Sequence, residues 1–221
     1  MTTLTSRAAL ARRSYLALLH HPVYDKHRRV VATSITNLDI HDIARSTRTY
    51  GLAAYYIVHP VGAQRELVHR IINHWQQGPG QEQNDFRRLA LQTVRVVASL
   101  EEAVSQITQE QGAAPLTVAT SASPWGRPVS ARALVRDPAL QVRPLLLLFG
   151  TGWGLTEEVL DRAERALHPI WGPTDYNHLS VRTAAGIVLD RLFSAPEPGP
   201  SAWEAEPGEK TVWLAAGEQR P

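Results

Sequence analysis

The chain has 221 residues, 43% of them hydrophobic and 20% charged, which suits one sizeable α/β domain, or a domain with a tail, and excludes disorder, collagen and coiled coil. Cysteine is absent, so disulfide scaffolds, cysteine-ligated zinc, iron–sulfur radical chemistry and a nucleophilic thiolate are excluded. The net charge of +2 hides an asymmetry. Arg7, Arg12, Arg13, Lys26, Arg28, Arg29, Arg45 and Arg48 outnumber Asp25, Asp39 and Asp42 in the N-terminal segment, whereas Glu197, Glu204, Glu206, Glu209 and Glu218 outnumber Lys210 and Arg220 after Ala195. A basic leading segment suits a polyanion such as RNA, and equally an ordinary solvated face.

Arg12 and Arg13 ahead of Tyr15 to Leu19 have the outline of a twin-arginine export signal. The apolar stretch is too short, however, and it runs into His20, His21 and Pro22 with no small-residue cleavage site. It reads as the first core strand behind a basic leader. Apolar runs such as Leu145 to Phe149 fall far below the roughly 18 residues of a membrane helix, so a cytoplasmic protein is expected.

Three apolar runs read as buried parallel strands: Tyr15 to Leu19, Ala53 to Val58 and Leu145 to Phe149. Thr93 to Ala98 and Leu116 to Thr120 add two more. Helical patterns lie between them. Leu38 to Tyr50 opens after Asn37 as N-cap and stops at Gly51, with Ile40, Ile43, Ala44 and Thr47 on its packing side and His41, Arg45 and Arg48 on another stripe. Gly62 to Gln77 spaces Leu67, Ile71 and Trp75 by four, and Leu100 to Gln109 puts Ala103, Val104 and Ile107 on one side. Gly78 to Asp85 reads as a polar surface loop. The alternation of strand and helix implies an α/β fold with a mainly parallel sheet flanked by helices, binding ligands at the carboxyl ends of its strands. Beyond Ser194 a Pro-, Gly- and Glu-rich stretch with Trp203 and Trp213 reads as a flexible tail, or as a segment docked through those tryptophans.

Chemistry concentrates in two further stretches. Leu145 to Glu158 passes from an apolar strand through Gly150, Gly152 and Gly154 into an acidic helix start. That pattern makes either a cofactor loop or a tight turn. No Lys-Ser/Thr pair follows, which excludes a nucleoside-triphosphatase loop. His168 to Leu189 is a Pro- and Gly-shaped loop entering a helix with Ala184, Ala185 and Gly186 in its second turn. Glycine in a helix interior costs about 1 kcal/mol relative to alanine, so the expectation is a close approach to this backbone by a ligand, a helix or the sheet. The histidines show no HExxH or comparable ligand spacing, so no metal site is expected.

Asn37 with Arg45 and Gly51, then Gly150 to Leu155, then Pro169, Ile170 and Gly172 with Leu179-Ser180-Val181 and Ala184-Ala185-Gly186, resemble in order the three motifs of the SPOUT superfamily of RNA methyltransferases. The resemblance covers residues 16–192. It is nearest to the bacterial RNA methyltransferase domain that some relatives carry fused to a tRNA guanine methyltransferase. It implies S-adenosylmethionine as cofactor, tRNA or rRNA as substrate, a C-terminal trefoil knot and a homodimer with a shared active site. The methyltransferase domain is then 1–194 and the tail 195–221. One departure stands out: Ser180 and Arg182 replace the Asn and Ser common among 2′-O-methylating relatives, which leaves the acceptor atom open.

On this resemblance the cofactor lies against Thr120 and Ser121, the turn of Gly150, Gly152, Trp153 and Gly154, and backbone at Ile170, Leu179 and Ser180. Trp153 either walls that pocket or packs beneath the sheet edge. Arg45, always protonated, binds phosphate or orients the acceptor. Asp175 is the candidate general base, with His178 as competitor, and each also reads as a plain loop residue. Two other readings stay open: a non-catalytic RNA-binding or assembly module that keeps the fold, and a nicotinamide-dependent oxidoreductase.

Overall fold

Ser14 to Leu19 are buried without a break, as they must be for a strand covered on both faces, and this strand, β1, is the middle of the molecule. The computed structural model describes residues 4–78 and 84–195. In chain order the main elements are α1 (Leu4–Ala11), β1 (Ser14–Leu19), β2 (Val23–Tyr24), β3 (Val30–Val31), α2 (Asn37–Thr49), β4 (Ala54–Val58), α3 (Gly62–Gln76) and α4 (Asp85–Leu91). They continue with β5 (Val94–Val97), α5 (Leu100–Gln111), β6 (Leu116–Ala119), α6 (Ala131–Leu134), β7 (Leu145–Gly150), α7 (Glu157–Arg162), β8 (Arg165–Ala166) and α8 (Val181–Phe193).

Six strands form one sheet in the order β5-β4-β1-β7-β6-β8, and every neighbouring pair is parallel. Strand residues alternate between faces. Leu16, Leu18, Tyr55, Ile57, Leu147 and Phe149 join a core with α2, α3, α4 and α8, while Tyr15, Ala17, Tyr56, Val58, Leu146 and Leu148 join a second core with α5 and α7. The expected architecture is thus the observed one, and truncating a central residue such as Leu147 to Ala should cost about 2–5 kcal/mol.

The departures are local. The N-cap of α2 is Thr36, whose hydroxyl accepts from the Asp39 N–H, and Asn37 is already helical. Ahead of β1 stands helix α1, and Arg12 and Arg13 form the turn between the two. Asp85 does not close a loop: it opens α4, capped by Asn84. In α3 the buried residues are Val68 and Ile72, with Ile71 and Trp75 packed beside them. At Gly186 an added Cβ would meet nothing within 4 Å, so neither a helix nor the sheet of this chain approaches closely at that residue; buried Ala185 packs against the core beside it. Among the described residues no helix is long and apolar enough to cross a membrane. Trp203, Trp213 and the acidic run lie outside the described residues.

Candidate active site

Leu19 of β1 stands opposite Gly150 of β7, and Ala119 of β6 opposite Leu148. The chain therefore leaves three adjacent strands at one edge, each about 5 Å from the next. After β7, Thr151 donates to the Leu19 carbonyl through both its N–H and its hydroxyl, each at 3.2 Å. The Trp153 N–H donates to the Tyr24 carbonyl at 2.9 Å and the Tyr24 N–H to the Gly154 carbonyl at 3.0 Å.

The three glycines of this turn differ in their reasons. At Gly150 a Cβ would lie 2.7 Å from the Leu155 nitrogen, and at Gly152, where φ is +58°, 2.8 Å from the Tyr24 oxygen. Both are demanded by the chain's own packing. Gly154 has φ +98° and open space where a side chain would stand. Trp153 is 69% exposed, so it does not pack beneath the sheet edge.

After β6, the Thr120 hydroxyl donates to the Leu148 carbonyl at 2.9 Å, and the Ser121 hydroxyl accepts from the Ser123 N–H at 3.1 Å. Asn177 donates through its side-chain amide to the Ala122 carbonyl at 2.7 Å, which ties the segment 169–180 to this loop. The glycine turn and the third motif therefore flank the same connection. Ile170 anchors the segment in the core, while Trp171, Tyr176 and Leu179 remain exposed.

Ser180 caps α8, its hydroxyl accepting from the Thr183 N–H at 3.2 Å. Arg182 turns toward α2: its Nη1 donates to Asp39 Oδ1 at 2.9 Å and its Nε lies 3.4 Å from Asp42 Oδ2. Both residues that depart from the motif thus have structural partners.

The three candidate catalytic residues stand outside this bonding. Arg45, Asp175 and His178 are exposed, and none of their side chains hydrogen-bonds a protein group among the described residues. His178 meets Tyr176 edge-on, with ring centroids 5.4 Å apart.

Beneath this edge lies a network that sequence reading missed. His20 Nδ1 is 3.1 Å from the Thr33 hydroxyl, which contacts the Thr151 hydroxyl. Since Thr151 spends its proton on the Leu19 carbonyl, the chain has one direction: His20 Nδ1–H to Thr33, Thr33 to Thr151, Thr151 to Leu19. His20 Nε2 is then a bare lone pair, buried and without a partner among the described residues. His59 donates through Nε2 to the Thr33 carbonyl at 3.0 Å and accepts at Nδ1 from the Val61 N–H at 3.1 Å. Burial pushes the His20 pKa down to about 4, aided by neighbouring His59, and burial lowers that of His59 as well. Both rings are neutral at pH 7. Adjacent histidines at the ends of β1 and β4 were visible in the sequence, but their partners at 33 and 151 were not.

Residues 13–194 match the family described as SAM-dependent RNA methyltransferase. The chain is 46% identical over 191 residues to a tRNA (guanine-N(1)-)-methyltransferase of Oleidesulfovibrio alaskensis, covering 86% of this chain and 44% of that relative. The chain thus spans under half of that relative's length. An uncharacterized protein of Aquifex aeolicus is 41% identical over 180 residues, covering 81% of this chain and 88% of its own. Among solved structures, TrmJ from Z. mobilis ZM4 shares the fold with a TM-score of 0.53 at 16% identity, covering 86% of this chain and 73% of its own. The parallel sheet, the glycine turn and third motif gathered at its carboxyl edge and the match along residues 13–194 lead to one conclusion: the chain belongs to the SAM-dependent RNA methyltransferase family, on the SPOUT fold.

Proposed function

We propose that this chain methylates a nucleotide of tRNA or rRNA at the carboxyl edge of β1, β6 and β7. The observation that carries this reading is the gathering of the β6 loop, the β7 turn and the segment 169–180 around one edge. The donor set there suits S-adenosylmethionine. Among the described residues the N–H groups of Ser121, Ile170 and Leu179 donate to no protein acceptor, which leaves them for a nucleobase or a carboxylate. Thr120, Gly150 and Gly152 bring main chain to the edge without bulk, Gly154 leaves open space, and Trp153 offers an exposed indole face. Ser180 holds the α8 start in place.

When bound, S-adenosylmethionine supplies an electrophilic methyl group on a sulfonium. The protein's own contribution is orientation and proton removal. Arg45 stays protonated and grips a phosphate near the acceptor nucleotide. Asp175, exposed on the loop next to the third motif, takes the acceptor's proton as the general base, with His178 as the alternative carrier. A knotted C-terminal segment and a homodimer belong to this reading, as do a catalytic unit of residues 1–194 and a cytoplasmic site of action suited to an RNA substrate. The name of the 46% identical relative puts tRNA first among the substrates to test.

The test supplies the full chain with methyl-labelled S-adenosylmethionine and bulk tRNA or rRNA from cells lacking the gene. Label in one RNA pool, assigned by nucleoside mass spectrometry, is the expected result. Donor binding with no transfer to either pool overturns it in favour of the non-catalytic module, and nicotinamide binding in place of the donor points to the oxidoreductase.

A further inference from the structure

Away from the candidate site, two clefts flank α6. One, of about 280 Å³, is lined by Arg7, Leu10, Arg13, Arg136 and Gln141, with Asp137 at its wall. The other, of about 330 Å³, is lined by Ser130, Arg132, His168, Val188 and Arg191. Ser130 to Arg132 line one and Val135 and Arg136 the other, so α6 stands between them, and α6 packs on α8, as α1 does. Together they present five guanidinium groups.

The negative charge is already committed. Asp137, in the lining of the first cleft, receives Arg165 Nε at 3.0 Å and the Ala139 N–H at 3.0 Å. Among the described residues, none of the five arginines has a carboxylate partner. Arg7 and Arg13 each give one N–H to a main-chain carbonyl, of Ser194 and Gln141 respectively, which leaves most of their five donors unused.

The clefts are placed along a path. Arg13 precedes β1 at the amino end of the sheet, whereas His168 follows β8 at the carboxyl end, immediately before Pro169 and Ile170 of the third motif. The band thus runs about one strand length, roughly 20 Å, from the far end of the sheet to the rim of the candidate site. A row of cations with bidentate geometry and no counter-ion suits a polymer with regularly spaced phosphates.

We propose that the two clefts form a backbone track for the substrate RNA, with phosphodiester groups seated on Arg7, Arg13 and Arg136 and on Arg132 and Arg191, delivering the acceptor nucleotide past His168 to the carboxyl edge. This rests on the RNA methyltransferase reading given above and adds to it where the RNA lies.

The track is tested in the full chain by measuring the Kd for bulk tRNA over a range of salt concentrations, for the native protein and for Arg132→Ala, Arg136→Ala and the double variant. Arg70→Ala, an exposed arginine on α3, serves as control. Each track substitution should weaken RNA binding several-fold and flatten the slope of log K against log salt by about 1, with S-adenosylmethionine affinity and melting temperature unchanged. An equal loss in Arg70→Ala would mean diffuse charge and overturn the track, as would dissociation of an oligomer in the track variants, which would make the clefts a subunit interface. Native-like RNA affinity and salt slope in the double variant also overturn it. RNA binding by the native protein keeps those failures distinct from failure of the functional reading, which would show as no RNA binding by any form.

Discussion

Arg182, the second residue of α8, reaches across to Asp39 in the first turn of α2, its Nη1 2.9 Å from Asp39 Oδ1. Asp39 is buried, and its other oxygen accepts from the Thr36 hydroxyl at 2.6 Å. One carboxylate therefore fixes the α2 cap and the entry of the third motif together. Removing the arginine leaves that carboxylate buried with only a hydroxyl partner. Arg182→Ala should lower stability by about 2–4 kcal/mol, read as a fall in the urea midpoint at constant slope. Asp39→Asn in the same background should recover part of that loss, giving a coupling of about 1–3 kcal/mol in a double-mutant cycle. Additive losses would show that the pair is incidental.

The parallel core was legible because covered strands are near-continuous apolar runs, and β1, β4 and β7 say so directly. The α2 cap was misread by one residue although Thr36 and Asp39 stand at capping spacing, because Asn37 is itself a good cap type. Short elements such as α6, β8 and the β2–β3 ribbon have too few residues for periodicity to register. At the site, the glycine turn was visible as composition, but the reason for Gly152 was not, since the Tyr24 carbonyl it avoids is 128 positions away in a separate hairpin. The His20 network failed to show for the same reason: its partners meet only through tertiary contact.

That network makes a prediction about acid. With a folded pKa near 4 against an ordinary value near 6.5, His20 binds a proton more readily in the unfolded chain. Stability should therefore fall as pH drops from 6.5 toward 4, by up to about 3 kcal/mol from this residue, and His59 adds in the same direction. His20→Asn, whose amide N–H can replace Nδ1–H toward Thr33, should keep neutral-pH stability closer to native than His20→Leu and flatten the acid limb. Urea unfolding from pH 4 to 7 checks this, and an acid limb unchanged in His20→Asn would assign the loss to other groups.

Gly152 and Gly154 should separate folding from binding. Gly152→Ala combines a left-handed backbone with a clash against the Tyr24 carbonyl, and should cost about 1–3 kcal/mol in thermal unfolding. Gly154→Ala meets no neighbour, so its cost is confined to backbone strain and should be smaller. Its new methyl group would point into the space proposed for the donor, so calorimetry should show the larger loss of S-adenosylmethionine affinity per unit of lost stability for Gly154→Ala. The reverse order would move the donor away from this turn.

Arg45 offers the sharpest division between holding the donor and using it. It lies exposed on α2 with no side-chain hydrogen bond to protein among the described residues, so Arg45→Ala should leave the fold and donor affinity unchanged. If its guanidinium grips a phosphate beside the acceptor nucleotide, losing that charge-assisted contact should lower kcat/KM for RNA by roughly 10- to 100-fold, the scale of about 1.5–3 kcal/mol for a hydrogen bond to a charged group. Arg45→Lys retains the charge but not the planar fork, and should recover only part of the loss. Full recovery would assign Arg45 to general charge attraction, and turnover unaltered in Arg45→Ala would take the residue out of the site altogether.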